Sequence, residues 1–396
     1  MLRLRGGYLL FLPVIAGLTA IFMFFSCSPS KSDTNSLEVS VVKGYTDIAY
    51  ATYNDALLSA QKLKRQVSYL LDNPSEQTLL GAQKAWITAR MYYGQTEVFR
   101  FYDGPIDNGT TGVEGLLNAW PLDEIYVDYV EGNAAAGIIN DIENYPSITR
   151  DLLVGLNEKG GEENISCGYH AIEFMLWGQD VHADSPGKRP FTDFIAGSAY
   201  TDRRRIYLQL TTELLIEHLT QLVDAWKPGV QNNYAAYFLK LEPKNALQKI
   251  ITGMGVLSKV EMAGERMFTA YDNASQEDEQ SCFSDNTKAD LMNNLGGIIN
   301  IFYGTYVRFD KTNLQVPALD DLLKITDEKL YITTNDLLKK CNSEIQNIYQ
   351  PFDIAIVEED KRAQVMRAIL SVQQVGEQMA EIATTLGLVI NVNSSD

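Results

Sequence analysis

The chain has 396 residues, of which 45% are hydrophobic, enough to bury a large core, and its 51 acidic against 33 basic residues give a formal charge of −18. So acidic a surface repels phosphate backbones, which argues against nucleic acid as a partner and makes cations the natural counterpart. Four scattered cysteines do not make a disulfide framework.

Arg3 and Arg5 precede an apolar run from Tyr8 to Phe25 that ends at Ser26-Cys27. A basic start, an apolar stretch and a small residue form a secretory signal over residues 1–26. Because cysteine follows the small residue, the boundary resembles a lipobox, with Cys27 as the lipidated N-terminus. An uncleaved membrane anchor is the alternative, since the run is almost long enough to span. In either case the chain is exported and attached to a membrane. Residues 27–38 are small and polar without periodicity and read as a tether.

Helices follow. Val41, Tyr45, Ile48, Thr52, Ala56, Ala60, Leu63, Val67 and Leu70 recur at steps of three or four, predicting a long helix that stops before Asn73-Pro74. A second is expected from Ser75 to Tyr102, with Ile87, Met91, Gly94, Val98 and Phe101 as its core face. Arg90, Tyr93, Glu97 and Arg100 share a neighbouring polar stripe. From Asp103 to Gly161 the pattern is turn-rich. The run Gly168 to Asp180, GYHAIEFMLWGQD, then places His170 and Glu173 three residues apart on one face of an apolar helix that Ser166 can cap. Such a pair is costly to bury unless it is hydrogen-bonded or bound to a cation.

A long helix with Leu208, Leu215, Leu219, Leu222 and Trp226 comes next, with His218 off its seam and expected to be exposed. Pro228 to Pro243 reads as a boundary, followed by helices near 244–271, 289–306, 326–348 and 359–388. No stretch shows sustained strand alternation. The expectation is an all-α protein of two helical-bundle domains, residues 39–235 and 236–392, with roughly four long helices each and a functional cleft at their interface.

GYHAIEFMLWGQD resembles the Gly-x-His-x-x-Glu signature of the imelysin family, bacterial iron-regulated proteins once described as metallopeptidases. Further blocks look like that family in order: Arg90 to Asp107, Leu116 to Val130, Gly187 to Phe194, the Arg203-Arg204-Arg205 run, Val260 to Met267 and Gln276 to Thr287. One departure is Lys288, where the family commonly has a histidine after Ser-Asp-Asn-Thr. The resemblance implies two helical bundles with the signature between them, and a role in iron uptake at the bacterial cell envelope alongside other iron-uptake proteins.

For chemistry, His170 and Glu173 are the first candidates as metal ligands, joined by Glu97, Glu261 and Glu279. Arg90, Arg100, Asp103, Glu265, Arg266, Ser281 and Asp285 are candidate supporting residues. Glu261 and Glu265 continue the seam of Ile250, Met254 and Leu257 at helical steps. Oxygen-rich ligands with one imidazole suit a divalent or ferric ion, iron, manganese or zinc. No His-Glu-x-x-His motif is present, which argues against a conventional zinc peptidase. Three readings stay open: a binder of a metal ion or iron-bearing ligand, a metal-dependent peptidase using His170 and Glu173, and an interaction module whose polar cluster is structural. The triple arginine is either an anion site or the solvated start of a helix, and Cys167 and Cys282 are either paired or free thiols.

Overall fold

The computed structural model describes residues 31–394, so the signal segment and Cys27 lie outside the described residues. It is 66% helix and 2% strand, as an all-α reading requires. In the first half, α1 (Lys31–Asp72), α2 (Glu76–Gly94), α3 (Tyr169–Trp177) and α4 (Ala199–Trp226) carry the core. In the second, α5 (Pro243–Val256) runs without a break into a π-helix (Leu257–Phe268) and on to Asn273. It is followed by α6 (Thr287–Tyr303), α7 (Glu328–Gln346) and α8 (Glu359–Thr385). None of the described helices is long and apolar enough to cross a membrane.

The packing follows from the apolar stripes. All nine seam positions of α1 are buried, and the helix lies against both α2 and α4. In the second half, α8 buries Val365, Ile369, Val372, Val375, Met379 and Ile382 against α5, the π-helix and α7. The halves meet where α1 packs on α5 and α2 on α6. At the second contact the backbones nearly touch, because a Cβ at Gly297 would lie 2.6 Å from the Gln95 carbonyl oxygen. Buried apolar side chains form one connected core from Val41 to Leu388. The stretch expected as a boundary holds a short helix, Tyr234–Phe238, whose Phe238 ring stacks 5.5 Å from Tyr45.

Several expectations are corrected. Residues 31–38, expected as tether, already belong to α1: a nucleated helix extends at little cost, and Leu37 packs on the core while Glu38 is buried. The second helix ends at Gly94, not Tyr102, and a single 3-10 turn, Glu97–Phe99, follows. Gly94 and Val98 are buried as expected, but Ile87 and Met91 are exposed while Arg90 and Tyr93 are buried. Ser166 does not cap α3; its hydroxyl donates to the Leu153 carbonyl. His218 is buried, beside the Leu116 backbone, because the short helix Glu114–Leu117 covers that part of α4. A small antiparallel hairpin, Thr305–Val307 with Asn313–Gln315, was not foreseen.

The triple arginine serves the fold. Arg203 donates to the Ile138 and Ile139 carbonyls at 2.8 and 2.6 Å, Arg204 grips Asp128 with two bonds of 2.8 and 3.0 Å, and Arg205 donates to the Leu71 and Phe194 carbonyls. These bonds tie the turn-rich segments to α4 and leave Arg203 and Arg204 buried. Cys167, Cys282 and Cys341 are free thiols.

Candidate functional site

Helix α3 begins at a position only glycine can hold. Gly168 has φ 92° and ψ −172°, a region essentially closed to residues with a side chain. A Cβ there would also sit 2.7 Å from the Leu117 carbonyl oxygen. Every residue of α3 is buried. In the opening turn, His170 Nδ1 lies 2.8 Å from Glu173 Oε2. The other Glu173 oxygen accepts from the Ser284 backbone N–H at 3.0 Å and its hydroxyl at 2.6 Å. Burial, with Arg90 and Arg266 nearby, pushes the His170 pKa well below the usual imidazole range, so the ring is neutral. Burial likewise raises the Glu173 carboxyl well above its ordinary value. His170 Nε2 is buried and meets no hydrogen-bond partner among the described residues.

We expect Gly168→Ala to destabilise the protein by about 1–3 kcal/mol through backbone strain alone. A urea melt of the purified variant reads this directly, and an unchanged midpoint would show that the turn tolerates a side chain.

Around this pair runs a buried ionic network joining the two halves. Arg90 donates from Nε to Asp290 at 3.2 Å and from Nη1 to Asn118 at 2.5 Å. Its guanidinium lies 5.2–5.9 Å from the ring centroids of Tyr169, Tyr93 and Trp86. Asp290 also accepts from the Ser281 hydroxyl at 2.5 Å and from Asn286 at 3.2 Å. A second node is Arg266, which donates to Glu97 at 2.5 Å, Asn294 at 2.7 Å and Glu261 at 3.4 Å. Arg100 bridges Glu97 and Glu114, each at 3.0 Å. Burial alone would raise the Glu97 pKa, but Arg100 and Arg266 outweigh it and hold the carboxyl at about 2.

The π-helix decides which side chains reach this network. Its i→i+5 winding brings Glu261 and Arg266 onto one face and buries Met262 and Met267 in step. Glu265, expected on the buried stripe by α-helical counting, is therefore exposed.

Outside the network opens a cleft of about 480 Å³ to which both halves contribute. Its wall includes Arg100, Glu114, Glu158, Glu261, Glu265 and Asp278, and Asn118, the partner of Arg90, also lines it. One cation among so many carboxylates makes the wall strongly negative. Neither His170 nor Glu173 lines it.

The candidate ligands thus separate into three places. His170 and Glu173 form one pair, Glu97 and Glu261 meet on Arg266, and Glu279 lies elsewhere, against Asp353. Of the supporting residues, Arg90, Arg100, Arg266 and Ser281 belong to the network, and Glu265 to the cleft. Asp103 is exposed in the turn that follows. Asp285 joins Asp180 and Asp353, with one carboxylate oxygen from each within 4.8 Å of the other two; among the described residues no other three His, Cys, Asp or Glu are gathered so closely. Burial and the neighbouring acids push Asp285 up to about 7 and Asp180 to about 6. Lys288, at the departure from the family pattern, is turned away and donates to the Ile348 carbonyl at 2.7 Å.

Sequence reasoning missed Asp290, Asn294, Ser284, Asp180 and Asp353. A signal existed for the first two, which stand four apart beside Leu291, Leu295 and Ile298 and so fall near a helix seam.

A helical fold, a Gly-x-His-x-x-Glu start to a buried helix and a polar network joining two sets of helices define a class. The chain belongs to the imelysin family, whose model matches residues 49–380. Among solved structures it resembles a Parabacteroides distasonis protein described as an iron-regulated protein A precursor, with 18% identity over 91% of this chain and 97% of that one and a TM-score of 0.71. An imelysin-like protein from Psychrobacter arcticum is similar at 13% identity, with 91% and 98% covered and a TM-score of 0.63. No curated protein matches the chain.

Proposed function

We propose that this protein is an exported, lipid-anchored binding protein of iron uptake that takes a metal ion or iron-bearing ligand in the cleft between its two sets of helices. Cys27 carries the lipid and fixes the protein at the bacterial cell envelope. The observation that carries the reading is the cleft: carboxylates from both halves line it, and its volume suits a small chelate as well as a bare ion. The name of the Parabacteroides relative supports the connection with iron. His170, held by Glu173 through Nδ1, stands behind the cleft wall rather than in it, so the cleft carboxylates and not this pair carry the reading. Peptide hydrolysis has less support, since neither residue of the pair faces the cleft.

The test is binding of ferric iron, ferrous iron and zinc to the chain from Ser28 onward, which holds every described residue. Wild type should bind, and Glu261→Gln/Glu265→Gln should weaken binding about tenfold or more, as expected when two carboxylates leave a cation site. No binding by wild type, or binding unchanged in the double variant, would remove the cleft from the function.

A second reading has its own observation. The pairs Arg90–Asp290, Arg266–Glu97 and Ser284–Glu173 each join residues more than a hundred positions apart. They make a structural clamp whether or not a ligand binds. In this reading His170→Ala lowers the melting temperature, and wild type binds none of the three metals.

A further inference from the structure

Asp180, Asp285 and Asp353 converge from three distant parts of the chain. Asp180 lies just beyond the end of α3, Asp285 in the loop before α6, and Asp353 in the short helix Phe352–Val357. One oxygen from each lies within 4.8 Å of the other two, which is the spread of oxygens sharing one calcium ion at 2.3–2.6 Å.

A second observation concerns what stands behind them. Glu279 is 1% exposed and Asp353 4%. In strict hydrogen-bond geometry neither carboxylate meets a donor, although the Thr287 hydroxyl lies close to Glu279, the Asp353 backbone N–H close to its own side chain, and the two carboxyls close enough to share a proton. The two side chains face each other, carboxyl to carboxyl, and Asp285 Oδ1 is likewise without a donor. Among the described residues no lysine or arginine is ion-paired with any of these four acids. Three buried acids elsewhere are treated differently: Glu97, Asp128 and Asp290 each face an arginine. Buried carboxylates without a counter-charge are costly, and a cation supplies what the chain does not.

We propose that Asp180, Asp285 and Asp353, backed by Glu279, form a site for one hard divalent cation of the calcium type, separate from the cleft. The donor set is all oxygen, with no imidazole or thiolate, which selects calcium, manganese or magnesium over softer metals. The site also bears on the signature pair. Asp285 follows Ser284, the residue that holds Glu173 with two hydrogen bonds, and takes a left-handed backbone (φ 55°) that directs consecutive side chains to the two sites. A cation bound there fixes the loop on which Glu173 depends.

The test is calorimetric titration of the chain from Ser28 onward, freed of metal by chelator, with calcium chloride at constant ionic strength set by sodium chloride. Melting is followed in parallel. One equivalent should bind and raise the melting temperature, and Asp285→Asn/Asp353→Asn should lose affinity about tenfold or more. In chelator that variant should melt no lower than wild type, since it removes like charges from a buried cluster. Glu261→Gln/Glu265→Gln should keep its calcium binding, so failure of the cleft reading and failure of this one are told apart. If calcium, manganese and magnesium all fail to bind, or if the aspartate variant binds as wild type does, the site is refuted. Should the double variant not fold, Asp353→Asn alone decides by the same criterion.

Discussion

Exchanging Arg266 for methionine should lower the stability of this protein by about 3–5 kcal/mol, the usual result of removing one partner from a buried ion pair. Arg266 is fully buried and Glu97 is 1% exposed. Methionine fills much of the arginine stem's volume, so the loss is chiefly that of charge and hydrogen bonds. Glu97 is then left with Arg100 alone, which is partly exposed and shared with Glu114. Acid gives an independent reading. The Glu97 pKa lies near 2, below the 4.5 of a free glutamate, so its stabilisation is present above pH 4.5 and is lost as pH falls through 2. In Arg266→Met the folded-state pKa rises, and acid unfolding should begin at higher pH than in wild type. Urea midpoints at pH 7 and pH 3 check both statements; equal midpoints for variant and wild type at pH 7 would show that the pair does not hold the halves together.

Asp290→Leu should be comparably costly, about 3–5 kcal/mol, because Arg90 is 1% exposed and would keep only the neutral Asn118 as a side-chain partner. Ser281 and Asn286 lose their acceptor as well. The informative measurement is the double variant Arg90→Met/Asp290→Leu. If the cost is that of an unpaired buried charge, removing the second charge restores much of the stability, because an apolar pair of similar volume can replace a buried ion pair. If the double variant is as unstable as the sum of the single ones, the two residues act separately and the aromatic rings around Arg90 are the better explanation.

What could be read from the sequence is what depends on neighbours along the chain. The seams of α1 and α8 were legible because their apolar residues recur at the helical period over many turns and face one core throughout. The His170–Glu173 pair was legible because a spacing of three fixes which side chains meet on a helix. The inner face of α2 was not. Arg90 belongs inside only because Asp290 arrives from α6, and nothing near position 90 announces it. The triad was hidden for the same reason, since Asp180, Asp285 and Asp353 come from unrelated segments. Glu265 was misplaced for a different one: α-helical counting was carried into a stretch wound with five-residue hydrogen bonds.

That π-wound stretch also bears on how the chain can change length. In an α-helix, adding or deleting one residue turns everything beyond it by about a hundred degrees. A π turn is where such an addition can be absorbed, as an extra residue held within the helix rather than expelled as a loop. The twelve residues Leu257–Phe268 therefore set the rotational phase of the whole rod that ends at Asn273. Shortening the stretch by one residue would leave its composition and hydrophobicity almost unchanged while carrying Arg266 away from Glu97. In this part of the protein, residue count rather than residue type holds the two halves in phase.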